Sequence, residues 1–167
     1  MDKSEKSKVK DKTNAMRIIE SKKLEYKLFT CPCEEAKSAD EIAVIFGKDP
    51  ERVFKTLVTV GKSGEHYVFM LPACDELDLK KAAKAVGEKS VEMIKSKELL
   101  PLTGYIHGGC SPVGMKKFFR TTAHITAQDY ETVTFSAGRI GWMMEMAPGD
   151  LGRAIRLGYA DITREHE

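Results

Sequence analysis

A lysine set inside an apolar run is the first residue of this sequence whose position suggests chemistry. Lys55 falls within Val53 to Val60, VFKTLVTV, which is rich in β-branched and aromatic residues. On strand spacing, Val53, Lys55 and Leu57 share one face, while Phe54, Thr56 and Val58 share the other. Both faces are largely apolar, so the ammonium either lines a cavity or snorkels to water from the strand end. The pattern alone leaves both readings open.

A second feature is the loop Gly108-Gly109-Cys110-Ser111-Pro112-Val113-Gly114. Three glycines and a proline in seven residues fix an unusual backbone path. Such a path serves either as a tight structural turn or as an anion-binding nest of successive amides that a ligand approaches closely. The spacing is not that of a phosphate loop, which needs G-x-x-x-x-G-K-[ST]. Lys116, Lys117 and Arg120 follow at once, as a basic rim suited to phosphates or as a solvated face. Cys110 would act as a thiol nucleophile only with a base or a positive field to make its thiolate. His107 is near in sequence, which does not establish contact. Ser136-Ala137-Gly138, with Arg139 and Gly141, forms a third small-residue loop that a hairpin turn explains. There is no G-x-S-x-G elbow and no evident Ser-His-Asp set.

Four cysteines (Cys31, Cys33, Cys74, Cys110) and four histidines complete the inventory. Cys31-Pro32-Cys33 lacks a second pair at zinc-ribbon spacing, and the histidines show no H-x-x-x-H. Neither a metal site nor a cofactor is expected. At 167 residues the chain needs no disulfide scaffold, so free thiols are the default reading.

The elements that must position these residues follow from periodicity. Asn14 to Lys22 reads as a short helix, and Leu24, Tyr26 and Leu28 alternate as a half-buried strand. Ser38-Ala39-Asp40-Glu41 is a capping box ahead of a helix that buries Ile42, Ile45 and Phe46 and ends at Gly47. Val53–Val60, the turn Gly61–Gly64 and Tyr67–Leu71 predict a hairpin. Leu79–Val86 predicts an amphipathic helix capped by Asp78 and stopped by Gly87. Further strands are expected at Tyr105–His107, Ala123–Thr126, Val133–Ser136, Trp142–Met146 and Tyr159–Ile162, with a last helix near Pro148. Hairpin-like adjacency dominates, which favours an α+β fold with a mixed, curved sheet over a doubly wound one. Residues 1–12, lysine-rich and polar, read as a flexible basic lead-in, and 13–167 as one domain.

Composition bounds the function. With 42% apolar and 31% charged residues, the chain reads as a globular protein, and its apolar runs are too short to span a membrane. Met1 to Lys12 has no apolar core after its lysines, so a cytoplasmic location is expected. A net charge of +2 argues against a long nonspecific nucleic-acid groove but allows a grip on one end of an RNA.

Taken together, the segments resemble the YbaK/EbsC family of aminoacyl-tRNA deacylases. The residues that carry the resemblance are Phe54-Lys55-Thr56-Leu57, Leu77 to Ala83, Val91-Glu92-Met93, Thr103-Gly104-Tyr105, Gly108 to Gly114, Lys116-Lys117, Ser136 to Arg139, Glu145, Ala147 and Asp150-Leu151. The likeness runs from about Thr13 to Ile162 and rests on the order and spacing of the set. It implies a mixed, barrel-like sheet surrounded by helices, and release of an amino acid from tRNA. The motifs are most similar to deacylases of cysteinyl-tRNA formed on the proline acceptor. It further implies Lys55 as the key side chain, paired with a phosphate or ribose of the tRNA end. Gly108 and Gly109 would be catalytic, with the amides of Gly108–Ser111 as oxyanion donors. Cys110, Ser111, Pro112, Ser136 and Gly138 would bind substrate, and Lys116 and Lys117 the tRNA. The partner implied is the acceptor end of an aminoacyl-tRNA, with prolyl-tRNA synthetase as a possible second, and no membrane. In that family's chemistry the substrate's own thiol attacks its ester, so the protein needs no nucleophile. Two departures bear on the pocket. Thr30-Cys31 stands where a tyrosine is frequent, and Met143 where a small or acidic residue is. The rival readings are a deacylase of alanyl- or seryl-tRNA using water, and an inert tRNA-binding or synthetase-docking module.

Overall fold

Two β-rich runs around Gly61-Lys62-Ser63-Gly64 fold onto each other, as their residue types require. In the computed structural model, which describes residues 11–32 and 35–165, they form β2 (Phe54–Gly61) and β3 (His66–Pro72), paired antiparallel from Phe54↔Pro72 to Val60↔His66. The other strands are β1 (Lys27–Thr30), β4 (Val91–Met93), β5 (Thr121–His124), β6 (Val133–Arg139), β7 (Trp142–Met146) and β8 (Leu157–Ala160). The helices are α1 (Asn14–Ser21), α2 (Ala39–Ile45), α3 (Leu79–Val86), α4 (Ser96–Thr103) and α5 (Pro148–Ala154), with a 3-10 turn at Ile125–Asp129.

The strands make two sheets. One has the order β4-β2-β3-β5-β8 and mixes antiparallel pairs with the parallel pairs β3–β5 and β5–β8; the other is the antiparallel β1-β7-β6. They meet at the parallel bridge Val53↔Thr134, where the Thr134 amide donates to Arg52 O at 3.1 Å. The expected mixed α+β fold therefore forms. Among the described residues one bridge joins the sheets, which is too little ladder to close the expected barrel.

Each helix packs where its apolar face dictates. Met16 and Ile19 of α1 bury against Phe135 and Met144, with Leu151 of α5 in the same cluster. Ala82, Ala83 and Val86 of α3 cover Phe69 and Leu71 of β3. Asp78 caps α3 by accepting from the amides of Lys80 and Lys81, and Gly87 ends it at φ +77°, a left-handed backbone that glycine takes without strain. Ile42 and Ala43 of α2 pack on Val53, Ala73 and Met143, whereas Ile45 is 47% exposed and does not join the buried face expected of it.

Three segments differ from expectation for local reasons. Leu24 lies in the turn that closes α1, its amide bonded to Ile19 O at 3.2 Å, so the first strand begins only at Lys27. Tyr105–His107 is not a strand. The Tyr105 amide donates to Thr103 Oγ1 at 3.0 Å and the Gly109 amide to Ile106 O at 2.9 Å, local bonds in place of a ladder. The last strand ends at Ala160, and the Ile162 amide turns to His124 Nδ1 instead. Most of the expected lead-in, residues 1–10, lies outside the described residues. Its last residues are held, with Lys12 paired to Glu20 at 2.6 Å and Asp11 O accepting from Arg139 at 2.9 Å.

Candidate active site

A cavity of about 310 Å³ opens where β2 begins, in the size range of small-molecule sites. Its walls come from the start of α2 (Lys37 to Asp40, and Ile42), the motif Phe54–Leu57, Ala73, Leu99, the glycine loop (His107, Gly108, Cys110), Ser136 and Met143. Residues more than 80 positions apart in sequence thus face one space. The capping box fixes the α2 wall. Ser38 Oγ accepts from the Glu41 amide at 3.2 Å while the Glu41 carboxylate accepts from the Ser38 amide, and this amide and hydroxyl hold the Glu41 carboxyl below its ordinary range.

Lys55 lies in the cavity wall, half-buried, with Nζ donating to Ala73 O at 3.4 Å. Of the two arrangements its strand position allowed, the cavity one is observed. Next to it, Thr56 Oγ1 is buried with no hydrogen-bond partner among the described residues.

The glycine loop is packed chiefly by protein. Gly108 has φ +84°, and a Cβ there would stand 2.5 Å from the Cβ of Ala36. A Cβ on Gly109 would stand 3.0 Å from the backbone of Arg139 and Ile140. The Gly109 amide is already given to Ile106 O, which corrects the expectation that it is a free oxyanion donor. Tyr105 holds the loop to its neighbour: its hydroxyl donates to Val113 O at 2.6 Å, and Cβ atoms on Gly114 and Gly138 would each come within 2.8 Å of it. These glycines are where the chain must touch Tyr105.

Of the expected substrate-binding residues, Cys110 and Ser136 line the cavity with Lys55 and Gly108. Ser111 is wholly buried and its hydroxyl accepts from the Val113 amide at 3.2 Å. Pro112 faces a separate groove, and Gly138 lies against Tyr105 with its amide on Ser136 Oγ. These three support the wall from behind. Lys116 Nζ turns to Pro101 O at 3.4 Å, while Lys117 lines the groove with Pro112. Sequence reasoning did not bring in Lys37, Ser38, Asp40 or Leu99, since no local pattern places α2 or α4 beside β2. Met143, noted as a departure, does line the cavity, whereas Cys31 only packs against the cluster that contains it.

Burial is the main influence on the Cys110 thiol and pushes it up to about 12, against a hydrogen bond to Thr103. A thiol so held is on the order of 10⁻⁵ ionised at neutral pH, which makes it a poor nucleophile. The free-thiol reading holds for Cys74 and Cys110 but not for Cys31, which is disulfide-bonded. A chain of this size needs no disulfide framework, which leaves room for a single bond. Among the described residues, no helix is long and apolar enough to cross a membrane.

With this geometry in place, likeness to known proteins becomes informative. The chain is 45% identical over 159 residues, 95% of its length and 97% of the relative's, to EbsC of Enterococcus faecalis, a candidate Cys-tRNA(Pro)/Cys-tRNA(Cys) deacylase. A stretch of 82 residues, 49% of the chain, is 37% identical to 14% of a proline–tRNA ligase of Shouchella clausii. The crystal structure of a candidate trans-editing enzyme for prolyl tRNA synthetase superposes with a TM-score of 0.79 at 25% identity, over 93% of this chain and all of that one. Residues 33–154 match the aminoacyl-tRNA editing domain, and the chain belongs to that family.

Proposed function

We propose that this protein is a trans-editing deacylase that frees cysteine from Cys-tRNA(Pro), with Cys-tRNA(Cys) as a further substrate. One observation carries the reading: a small cavity with a lysine in its wall, whose own thiol is kept protonated. Such a site is equipped to hold and fold a substrate and poorly equipped to attack it.

The reaction needs no protein nucleophile. The cysteine Sγ attacks the ester carbonyl, the carbon–sulfur bond forms, and the carbonyl–ribose oxygen bond breaks. The ribose oxygen takes the thiol's proton, and cysteine leaves as a four-membered thiolactone that water opens. Holding the thiol against its ester supplies an effective concentration of ~10⁵ M or more. Lys55 would pair with a phosphate or ribose oxygen of the terminal adenosine and draw the ester into the cavity. The amides of Gly108, Cys110 and Ser111 remain candidates to steady the oxyanion, with the Ser136 hydroxyl beside them, since the Gly109 amide is spent within the loop.

The test is a deacylation panel of cysteinyl-, seryl-, alanyl- and prolyl-tRNA, each with and without prolyl-tRNA synthetase. Serine differs from cysteine by one atom, so pocket fit alone discriminates weakly. Cysteinyl-tRNA should be cleared far faster than the others, with thiolactone trapped as first product and S-methylated substrate inert. Equal clearance of seryl- or alanyl-tRNA would show that water is the nucleophile. No clearance of any substrate, with RNA binding intact, would leave the inert binding module.

A further inference from the structure

A second concavity, of about 290 Å³, lies between the end of α1, the chain after the glycine loop and the end of α5. Its wall includes Lys22, Lys117 and Phe118 and, among the described residues, contains no carboxylate. Phe118 is 67% exposed, so its ring is open to a partner. Its neighbour Phe119 explains how the ring is presented. Phe119 packs inward against the cluster of Val58, Val68, Tyr105 and Cys110, edge-on to His66 at 6.0 Å. The segment is pinned besides by the Lys116 amide on Thr103 O at 3.0 Å and by Asn14 Nδ2 on Gly114 O at 2.9 Å. A fixed aromatic face flanked by cations on an acid-free wall is the composition that binds single-stranded nucleic acid: the ring stacks a base and the ammoniums meet phosphates.

We propose that Phe118, with Lys22 and Lys117, is a stacking platform for a single-stranded RNA segment, the unpaired 3′ end of the tRNA. The identity of the RNA rests on the deacylase reading; the chemistry of the platform does not. Position supports it. Cys110 lines the cavity and Pro112 the groove, and two residues of chain span at most about 7 Å. The groove therefore backs onto the cavity across the loop that holds buried Ser111, and the nucleotides before the esterified one reach it by passing around that loop.

The experiment measures binding of uncharged tRNA, and of a short single-stranded RNA with the same 3′ end, across a salt series. Phe118→Ala should weaken both by roughly 10-fold at every salt concentration, and Phe118→Trp should restore binding. Lys22→Gln and Lys117→Gln should each flatten the salt dependence by about 0.7 in slope. In turnover, Phe118→Ala should raise KM with kcat retained. Unchanged RNA affinity in Phe118→Ala overturns the platform, as does a Phe118→Ala variant that instead loses self-association. Because uncharged RNA is the probe, a failed platform and a failed deacylase activity are read separately.

Discussion

Lys55 is held by one long hydrogen bond to Ala73 O, so removing its side chain costs the fold little. Lys55→Ala should abolish deacylation while shifting stability by less than about 1 kcal/mol, as thermal unfolding beside a turnover assay will show. Normal turnover would take Lys55 out of the site. Cys110 makes the opposite case. Its buried thiol is a packing group, and Cys110→Ala should keep most of the activity. The thiol ionises near 9 when exposed and only near 12 in the fold, so the unfolded chain sheds its proton first. The native state therefore loses stability as pH rises above about 9, and Cys110→Ala should lessen that loss in alkaline denaturation curves. At this scale the sequence was informative about Lys55, since a cation in an apolar strand has few places to go. It was silent on Thr56, whose orphaned hydroxyl depends on what lies across the cavity.

At the scale of elements, legibility followed locality. The capping box, the hairpin and α3 each depend on residues within a few positions of one another, and each formed where expected. α4 was missed because Pro101 sits inside it. Proline there removes a bond and usually ends a helix, but the Gly104 cap, the Thr103 hydroxyl turned toward Leu99 O and the Lys116 amide on Thr103 O close this one. The glycine loop could be read as a ligand nest or as a tight turn, and the close approach of Ala36 to Gly108 and of the Arg139–Ile140 backbone to Gly109 favours tight packing there. Gly108→Ala should lower both stability and turnover. Its left-handed backbone costs roughly 1–2 kcal/mol with any side chain, and the Ala36 contact adds to that. Adding Ala36→Gly should recover part of the lost stability in urea titrations, since it removes the 2.5 Å contact but not the backbone cost. No recovery would mean that the Ala36 contact relaxes freely.

Across the whole molecule, His124 ties the C-terminal segment to β5. Its Nδ1 accepts from the Ile162 amide at 3.3 Å, and Asp161, 3.9 Å away, also pairs with Lys81. Burial holds the imidazole below its ordinary value, outweighing the pull of the Asp161 and Asp75 carboxylates. The unfolded chain takes up the proton first, so stability should fall as pH drops below about 6.5. His124→Gln should flatten that acid limb in unfolding curves recorded from pH 7.5 to 5. The pairing of β5 and β8 that creates this junction joins residues some 36 positions apart, beyond what periodicity reveals. The aminoacyl-tRNA editing family was legible because the order of many short motifs survives even where the sheet order does not show.

Tyr105 has a further consequence, in time instead of energy. A phenol ring turns over about its own axis only when its neighbours give way, and this one has Gly138 against its edge at Cε1 while its hydroxyl is tied to Val113 O. Each half-turn therefore needs the Ser136–Gly138 loop to give way. The two edges of the ring should give separate NMR signals in the cold and merge on warming, and the merging rate is a clock for how often the wall behind the cavity breathes.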